Sequence, residues 1–217
     1  MKTAAVFVHG LFLNGAEFGL LRRRFVAAHG FECHRFSYPT VRGSMAATVE
    51  RLTRFVERID AERIHFVGHS LGGLVLCRYF EQERCAHTGR VLLLGSPLAG
   101  SASARAVARN AVLRRVIGPL VAAELVEQCL PRTWSCDREL GVIAGTRPMG
   151  LGRFFARFDE DCDGTVAVSE TKLPGHTAHV TLPVSHMGLL VSRRVAVEAG
   201  SFLVNGCFSE RGMPGNS

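Results

Sequence analysis

Short apolar runs alternate with amphipathic segments along most of the chain. The apolar runs predict buried strands at residues 4–8, 31–38, 63–68, 90–94, 141–145 and 179–183. Between them, apolar residues recur at three- and four-residue spacings, which predicts helices at residues 16–28, 45–59, 71–84 and 187–203. This order is typical of βα units, so we expect an α/β fold with about six mainly parallel strands flanked by helices.

The regular alternation lapses between residues 95 and 141, where Ala, Arg and Leu predominate. Two helices are predicted there, at residues 102–117 and between Pro119 and Pro131. We interpret residues 99–140 as a small helical cap inserted into a single domain of residues 1–206, with residues 207–217 as a C-terminal tail. A helix pair that packs outside the functional site is the alternative, and the single Trp134 fits either a core anchor or a substrate contact.

The composition is that of a globular protein, with 47% hydrophobic and 21% charged residues, which excludes a disordered chain. No stretch reaches the roughly 18 apolar residues of a membrane span, and the N-terminus lacks the cleavage site of a signal peptide, so we expect a cytoplasmic protein. The seven cysteines include no C-x-x-C pair, and His176-x-x-His179 has no further ligand at a suitable spacing. We therefore predict reduced thiols, no metal and no other cofactor.

The chain has 26 basic and 19 acidic residues, a formal net charge of +7. Nearly all of the basic residues are arginines, and their clusters fall within the predicted helices. We interpret these clusters as solvated helix faces and predict no nucleic-acid partner. The positive charge can still favour encounters with anionic substrates or a transient contact with a lipid surface.

The strongest chemical signal is the segment Gly68-His69-Ser70-Leu71-Gly72, which matches G-x-S-x-G at a predicted strand-to-helix junction. A sharp turn there lifts a serine hydroxyl clear of the sheet, and the flanking glycines let strand and helix approach. The turn also places the Leu71 amide at a helix N-terminus, which favours negative charge. We predict Ser70 as the nucleophile, Gly68 and Gly72 as elbow glycines, and Leu71 as an oxyanion-hole donor.

A second signal follows the first predicted strand, in the segment His9-Gly10-Leu11. An H-G loop at this place supplies the other oxyanion-hole amide in hydrolases with such an elbow, and by position that amide belongs to Leu11. We expect His9 to order this loop rather than to act as a catalytic base.

A serine nucleophile requires a base, and the base requires an acid that orients it. Among nine histidines, His186 comes directly after the last predicted strand and so emerges at the same sheet edge as Ser70. For the acid we predict Asp163, because Gly164 permits a tight turn that aims the carboxylate inward. The close rivals are Asp159, Glu160 and Asp161. The order Ser70, Asp163, His186 is the one found in α/β-hydrolases.

These motifs resemble those of the α/β-hydrolase superfamily of lipases and esterases, in particular small bacterial lipases and GPI-inositol-deacylase-like hydrolases. The resemblance covers nearly the whole chain and rests on residues 8–11, 68–73 and 185–190. It implies an α/β-hydrolase fold with a six-stranded parallel sheet, the triad Ser70, His186 and Asp163, and oxyanion-hole amides from Leu11 and Leu71.

We therefore expect a serine carboxylic-ester hydrolase, an esterase or lipase that forms an acyl-enzyme with small to medium acyl esters as its small-molecule substrates. One alternative is an acyl-CoA-type thioesterase, which the positive charge favours. The other is a ligand-binding protein that keeps the fold without catalysis. No oligomeric state is predicted.

Overall fold

The computed structural model describes residues 2–82, 88–108, 133–149 and 158–209. One sheet runs through it, and all its neighbouring strands pair in parallel in the order β2-β1-β3-β4-β5-β6. The strands are β1 (Thr3–Val8), β2 (Glu32–Phe36), β3 (Arg63–His69), β4 (Val91–Leu94), β5 (Leu140–Gly145) and β6 (Ala178–Leu182). The predicted six-stranded parallel sheet is thus confirmed.

Helices cover both faces of this sheet. They are α1 (Gly19–His29, after a 3-10 turn at Ala16–Phe18), α2 (Met45–Val56), α3 (Leu71–Gln82), α4 (Ala102–Ala108), α5 (Gly188–Val191) and α6 (Arg193–Asn205). Apolar residues of α2 and α3 form one core cluster with Val6 and Val8, whereas those of α1, α5 and α6 form a second cluster with Ala5 and Phe7. Strand β1 is therefore buried on both faces, which explains its unbroken apolar sequence.

Local sequence signals set several helix ends. Ser44 caps α2 by accepting a hydrogen bond from the Ala47 amide at 3.2 Å. The prediction of one final helix over residues 187–203 is wrong, because the backbone of Ser192 is extended (ψ 134°) and separates α5 from α6. The Ser192 side chain accepts a hydrogen bond from the Val195 amide and so starts a new helix.

Only the beginning of the predicted cap can be compared with the structure. Helix α4 covers the first residues of the helix expected at 102–117, and the remainder of that helix and the second helix lie outside the described residues. Trp134 is a core anchor: it is buried, its ring lies 5.6 Å from that of Phe80, and its Nε1 donates to the Arg138 carbonyl. Within the described part of the chain, every helix is too short or too polar to cross a bilayer.

The predicted C-terminal tail is described as far as residue 209, and its start is held in place. The Phe208 ring stacks on Phe202 at 5.2 Å. The amide and hydroxyl of Ser209 both donate to the buried carboxylate of Glu198. The first residues after α6 therefore pack against the domain.

Candidate active site

The turn between β3 and α3 forces Ser70 into a left-handed backbone conformation, with φ at +53°. Such a φ is costly for a residue with a side chain, and it is typical of a serine held on a nucleophile elbow. The glycines around it are required by close contacts. A Cβ atom on Gly72 would lie 2.0 Å from the Val8 carbonyl oxygen, and one on Gly68 would lie 2.8 Å from the Gly73 Cα.

Gly73 was not predicted to have a role of its own, although the structure requires a glycine there. A Cβ atom on Gly73 would lie 2.0 Å from the Ser96 hydroxyl oxygen, in the loop after β4. The consecutive glycines Gly72 and Gly73 were the sequence signal that could have indicated this requirement. Because Gly72 faces β1 and Gly73 faces the β4 loop, the first turn of α3 packs closely against both neighbours of β3.

Asp163 and His186 form a buried pair beside this turn. The His186 Nδ1 lies 2.6 Å from the Asp163 Oδ2, and the Asp163 side chain is only 1% exposed. The other carboxylate oxygen of Asp163 accepts hydrogen bonds from the amides of Thr165 and Val166. The His186 amide in turn donates to the Asp163 carbonyl at 2.9 Å. The carboxylate is thus fully hydrogen-bonded and leaves the His186 Nε2 as the nitrogen that can exchange a proton.

The loop around Asp163 explains why this carboxylate, and not a neighbour, turns inward. Gly164 has φ at +92°, and a Cβ atom there would lie 2.6 Å from the backbone of Met149. The three rivals Asp159, Glu160 and Asp161 are exposed. Of the four acidic residues in this run, Asp163 is the one that meets a histidine.

Asp163 and His186 pair at the carboxyl edge of the sheet, and Ser70 follows β3 at the same edge. A Cβ atom on Gly95, at the end of β4, would lie 2.9 Å from Asp163 Oδ2 and 3.2 Å from His186 Nδ1. The ring of His69, the residue before Ser70, contacts the His186 ring at a tilt, with 4.6 Å between centroids and 44° between planes. The pair of His186 and Asp163 therefore lies beside the end of β4 and against the residue that precedes Ser70.

His69 is a residue of the site that the sequence analysis missed. Its side chain is buried, and its Nε2 donates to the His186 carbonyl at 3.2 Å. Burial lowers the pKa of His69 well below its usual 6.5, so the ring is neutral and carries its proton on Nε2. Its contact with the backbone of His186 helps to fix that residue.

The predicted oxyanion-hole amides belong to Leu71, which directly follows Ser70, and to Leu11, in the loop after β1. Neither amide donates a hydrogen bond to a residue that the structure describes, so both are available to a ligand oxygen. A Cβ atom on Gly10 would lie 3.1 Å from the Ser70 Cβ, which brings the first loop against the elbow. Phe12, beside Leu11, is the other described residue with a side chain and a positive φ, at +61°.

His9 orders this loop, as predicted. Its Nδ1 donates to the Gly10 carbonyl at 2.9 Å, and its Nε2 accepts from the Tyr38 amide at 3.2 Å. The Tyr38 ring stacks on it, and the Tyr38 hydroxyl donates to the His9 carbonyl at 2.8 Å. Burial lowers the pKa of His9, which favours the neutral ring that this pattern requires.

Other histidines have structural contacts. His65 is buried in β3 and accepts a hydrogen bond from the Arg90 amide, and burial lowers its pKa to about 3. His179 contacts the Thr171 hydroxyl at 2.9 Å, and its ring centroid lies 5.7 Å from that of His176. Across residues 2–82, 88–108, 133–149 and 158–209, no three His, Cys, Asp or Glu side chains are grouped as a metal site requires.

Glu170 connects the loop that carries Asp163 to the start of α4. Its buried carboxylate accepts hydrogen bonds from the Ala167 amide at 3.0 Å and from the Ala102 amide at 2.5 Å. The Glu170 carbonyl accepts a further hydrogen bond from the Ala99 amide. Burial raises the pKa of Glu170 above its usual value. The start of α4 is thereby tied to the loop that carries Asp163.

The parallel sheet, with a serine on a strained turn and a buried His–Asp pair at its carboxyl edge, is typical of an α/β-hydrolase. The model of the alpha/beta hydrolase family matches residues 5–201. The chain therefore belongs to that family, and the resemblance inferred from its motifs is confirmed.

Solved structures agree with this assignment. The chain is similar to the mature form of lipase BlEst2 from Bacillus licheniformis, with a TM-score of 0.69, 18% identity, and coverage of 95% of this chain and 93% of that one. It is also similar to a lipase-esterase related protein from Clostridium acetobutylicum, with a TM-score of 0.63, 13% identity, and coverage of 94% of this chain and 93% of that one. A third similar structure is the Vlm2 thioesterase domain, with a TM-score of 0.63, 15% identity, and coverage of 96% of this chain and 94% of that one. No curated protein matches the chain. At these identities the solved structures show a common fold, and family membership supports a hydrolase.

Proposed function

We propose that this protein is a serine carboxylic-ester hydrolase of the esterase or lipase type. In this proposal Ser70 is the nucleophile, His186 the general base and Asp163 the acid that orients it. The amides of Leu11 and Leu71 form the oxyanion hole. The buried contact of 2.6 Å between His186 and Asp163, beside the strained Ser70 turn, is the observation that carries the proposal.

The reaction proceeds through an acyl-enzyme. His186 Nε2 takes the proton of the Ser70 hydroxyl while the oxygen attacks the ester carbonyl, and the two amides donate to the resulting oxyanion. Collapse of this intermediate releases the alcohol, which receives the proton from His186. A water molecule then gives a proton to His186 and attacks the acyl group, and the second collapse releases the carboxylic acid and restores Ser70.

The test is hydrolysis of p-nitrophenyl esters from acetate to palmitate. We expect turnover that peaks at short or medium chains and falls by at least roughly 10³-fold in Ser70→Ala, because the members of a triad act as a unit. Asp163→Asn should lower kcat by about 10⁴-fold, since the histidine would then be held in the wrong tautomer. The matched control is Asp159→Asn, which removes an exposed charge from the same loop. A peak at palmitate would indicate a lipase.

Labelling of Ser70 by a fluorophosphonate provides an independent test. The reagent reacts with an activated serine whatever the natural substrate is, so it separates a wrong substrate from a wrong mechanism. Absence of both labelling and turnover would refute the proposal and favour a protein that only binds its ligand.

A thioesterase is the second candidate. The net charge of +7 and the fold shared with the Vlm2 thioesterase domain favour it. The same three residues would perform the reaction, with a thiol as leaving group. A kcat/KM for acyl-CoA that falls steeply with added salt, beside a salt-independent value for neutral esters, would support this candidate.

A further inference from the structure

A groove at the margin of the sheet concentrates positive charge away from the elbow. It lies between β2, the edge strand, and α2, and it has a volume of about 380 Å³. Its lining residues are Phe36, Ser37, Arg51, Arg54, Phe55 and Arg58. We call this feature the arginine groove.

The three arginines line one side of the groove. Arg51 and Arg54 lie three residues apart on α2, and Arg58 follows four residues later in the turn after the helix, so all three project from similar angles. Only Arg54 pairs with a carboxylate, that of Glu50 at 3.2 Å, and both side chains of this pair are more than half exposed. Arg51 donates to the Ser37 carbonyl at 3.4 Å.

The charge of the arginine groove is therefore not balanced from within. Among the residues that the structure describes, neither Arg51 nor Arg58 has a carboxylate within 4 Å, and the nearby Glu57 forms no ion pair. Like charges at these spacings repel each other, whereas a purely solvated helix face commonly alternates its charges. An anion in the groove would relieve this repulsion.

The apolar side of the groove restricts the kind of anion. Phe36 is buried beneath it, and the half-buried Phe55 packs on Phe36 with 5.4 Å between ring centroids. Phe55 thus offers an apolar surface directly beside three guanidinium groups. A phosphate group carries almost two charges and three acceptor oxygens, which suits several planar guanidinium donors better than a carboxylate does.

We propose that the arginine groove binds the phosphate group of a ligand whose apolar part packs on Phe55. The segment after Ser37 leads from the groove to the first loop of the elbow, where the Tyr38 hydroxyl bonds to the His9 carbonyl and the Thr40 hydroxyl accepts from the Phe12 amide. These two hydrogen bonds link the groove to the loop that carries Leu11, one of the proposed oxyanion-hole residues. Both the 3′-phosphate of coenzyme A and the phosphomonoester headgroup of phosphatidic acid have the required chemistry.

The experiment measures binding, so its outcome does not depend on the proposed ester hydrolysis. Ser70→Ala protein is titrated by calorimetry with coenzyme A, with dephospho-coenzyme A, and with monomeric dihexanoyl phosphatidic acid. We expect saturable binding of coenzyme A or of the phospholipid. The Kd should rise roughly 10- to 100-fold when the three substitutions R51A/R54A/R58A are added to Ser70→Ala. Coenzyme A binding that weakens without the 3′-phosphate would identify the nucleotide as the source, and phospholipid binding alone would identify a headgroup.

The matched control is R23A/R147A/R193A, which removes the same charge from exposed positions elsewhere. Its Kd should stay within about twofold of the parent value if the groove acts locally. An equal loss in both triple variants would show a general effect of net charge and would overturn the proposal. Absence of saturable binding by all three ligands would also overturn it.

Discussion

His69→Phe is expected to lower kcat for p-nitrophenyl acetate about fivefold. The substitution keeps a buried ring against His186 but removes the Nε2 donor, which lies 3.2 Å from the His186 carbonyl oxygen. A hydrogen bond between neutral groups contributes about 1 kcal/mol, and 1.36 kcal/mol in the barrier is a factor of ten in rate. His69→Gln keeps an N–H that can reach the same carbonyl, so it should retain most of the rate.

The same pair of variants tests the neutral state of His69. Burial lowers its pKa in the folded protein far below 6.5, so the unfolded chain binds a proton that the folded chain does not. The free energy of unfolding therefore rises with pH up to about 6.5, the pKa of histidine in the unfolded chain, and it falls as pH drops below that value. For one such group the loss at pH 5 is about 2 kcal/mol.

Urea unfolding at pH 7.5 and pH 5 measures this difference. Both variants lack the titrating group, so the free energy of unfolding should fall by about 2 kcal/mol less than in the unsubstituted protein. A pH dependence unchanged by the substitutions would mean that the folded protein accepts a proton on His69. Full kcat in His69→Phe would refute the role of the backbone contact in positioning His186.

Two further predictions concern backbone packing and a buried carboxylate. Gly72→Ala should destabilise the protein by about 3 kcal/mol, because its Cβ would lie 2.0 Å from the Val8 carbonyl oxygen. Gly19→Ala is the control, since a Cβ there meets no atom within 4 Å, and equal unfolding midpoints would contradict the reasoning. Burial raises the pKa of Glu170 above 4.5, so its stabilising effect is complete below 4.5 and is lost as pH rises through the folded value. The stability deficit of Glu170→Gln should therefore shrink between pH 4 and pH 7, and a constant deficit in thermal unfolding would refute this assignment.

The sheet and the elbow could be predicted because their signals are local. A parallel strand buried on both faces needs a continuous apolar run, as in β1, and a sharp strand-to-helix turn needs glycines at defined offsets from Ser70. Asp163 could be separated from its acidic neighbours for the same reason, since Gly164 marks the one tight turn among them.

The features that escaped prediction depend on contacts between distant segments. His69 and His186 are 117 residues apart, and the carboxylate of Glu170 bonds to an amide 68 residues earlier in the chain. The break at Ser192 was missed because its neighbours continue the apolar spacing, while the serine itself competes for the backbone. The arginine groove likewise could not be predicted, because it forms only where α2 packs beside β2.

Hydrogen bonds hold both described ends of the segment between β4 and β5. At one end, Glu170 holds the Ala102 amide and the Ser103 hydroxyl donates to the Thr165 carbonyl. At the other end, the Trp134 amide donates to the Pro174 carbonyl. Both junctions are thus hydrogen-bonded to segments that lie between β5 and β6, one of them the loop that carries Asp163. A protein engineer who exchanges residues 109–132 should therefore leave Ala102, Ser103 and Trp134 unchanged, because a substitution there would disturb that loop or the segment before β6.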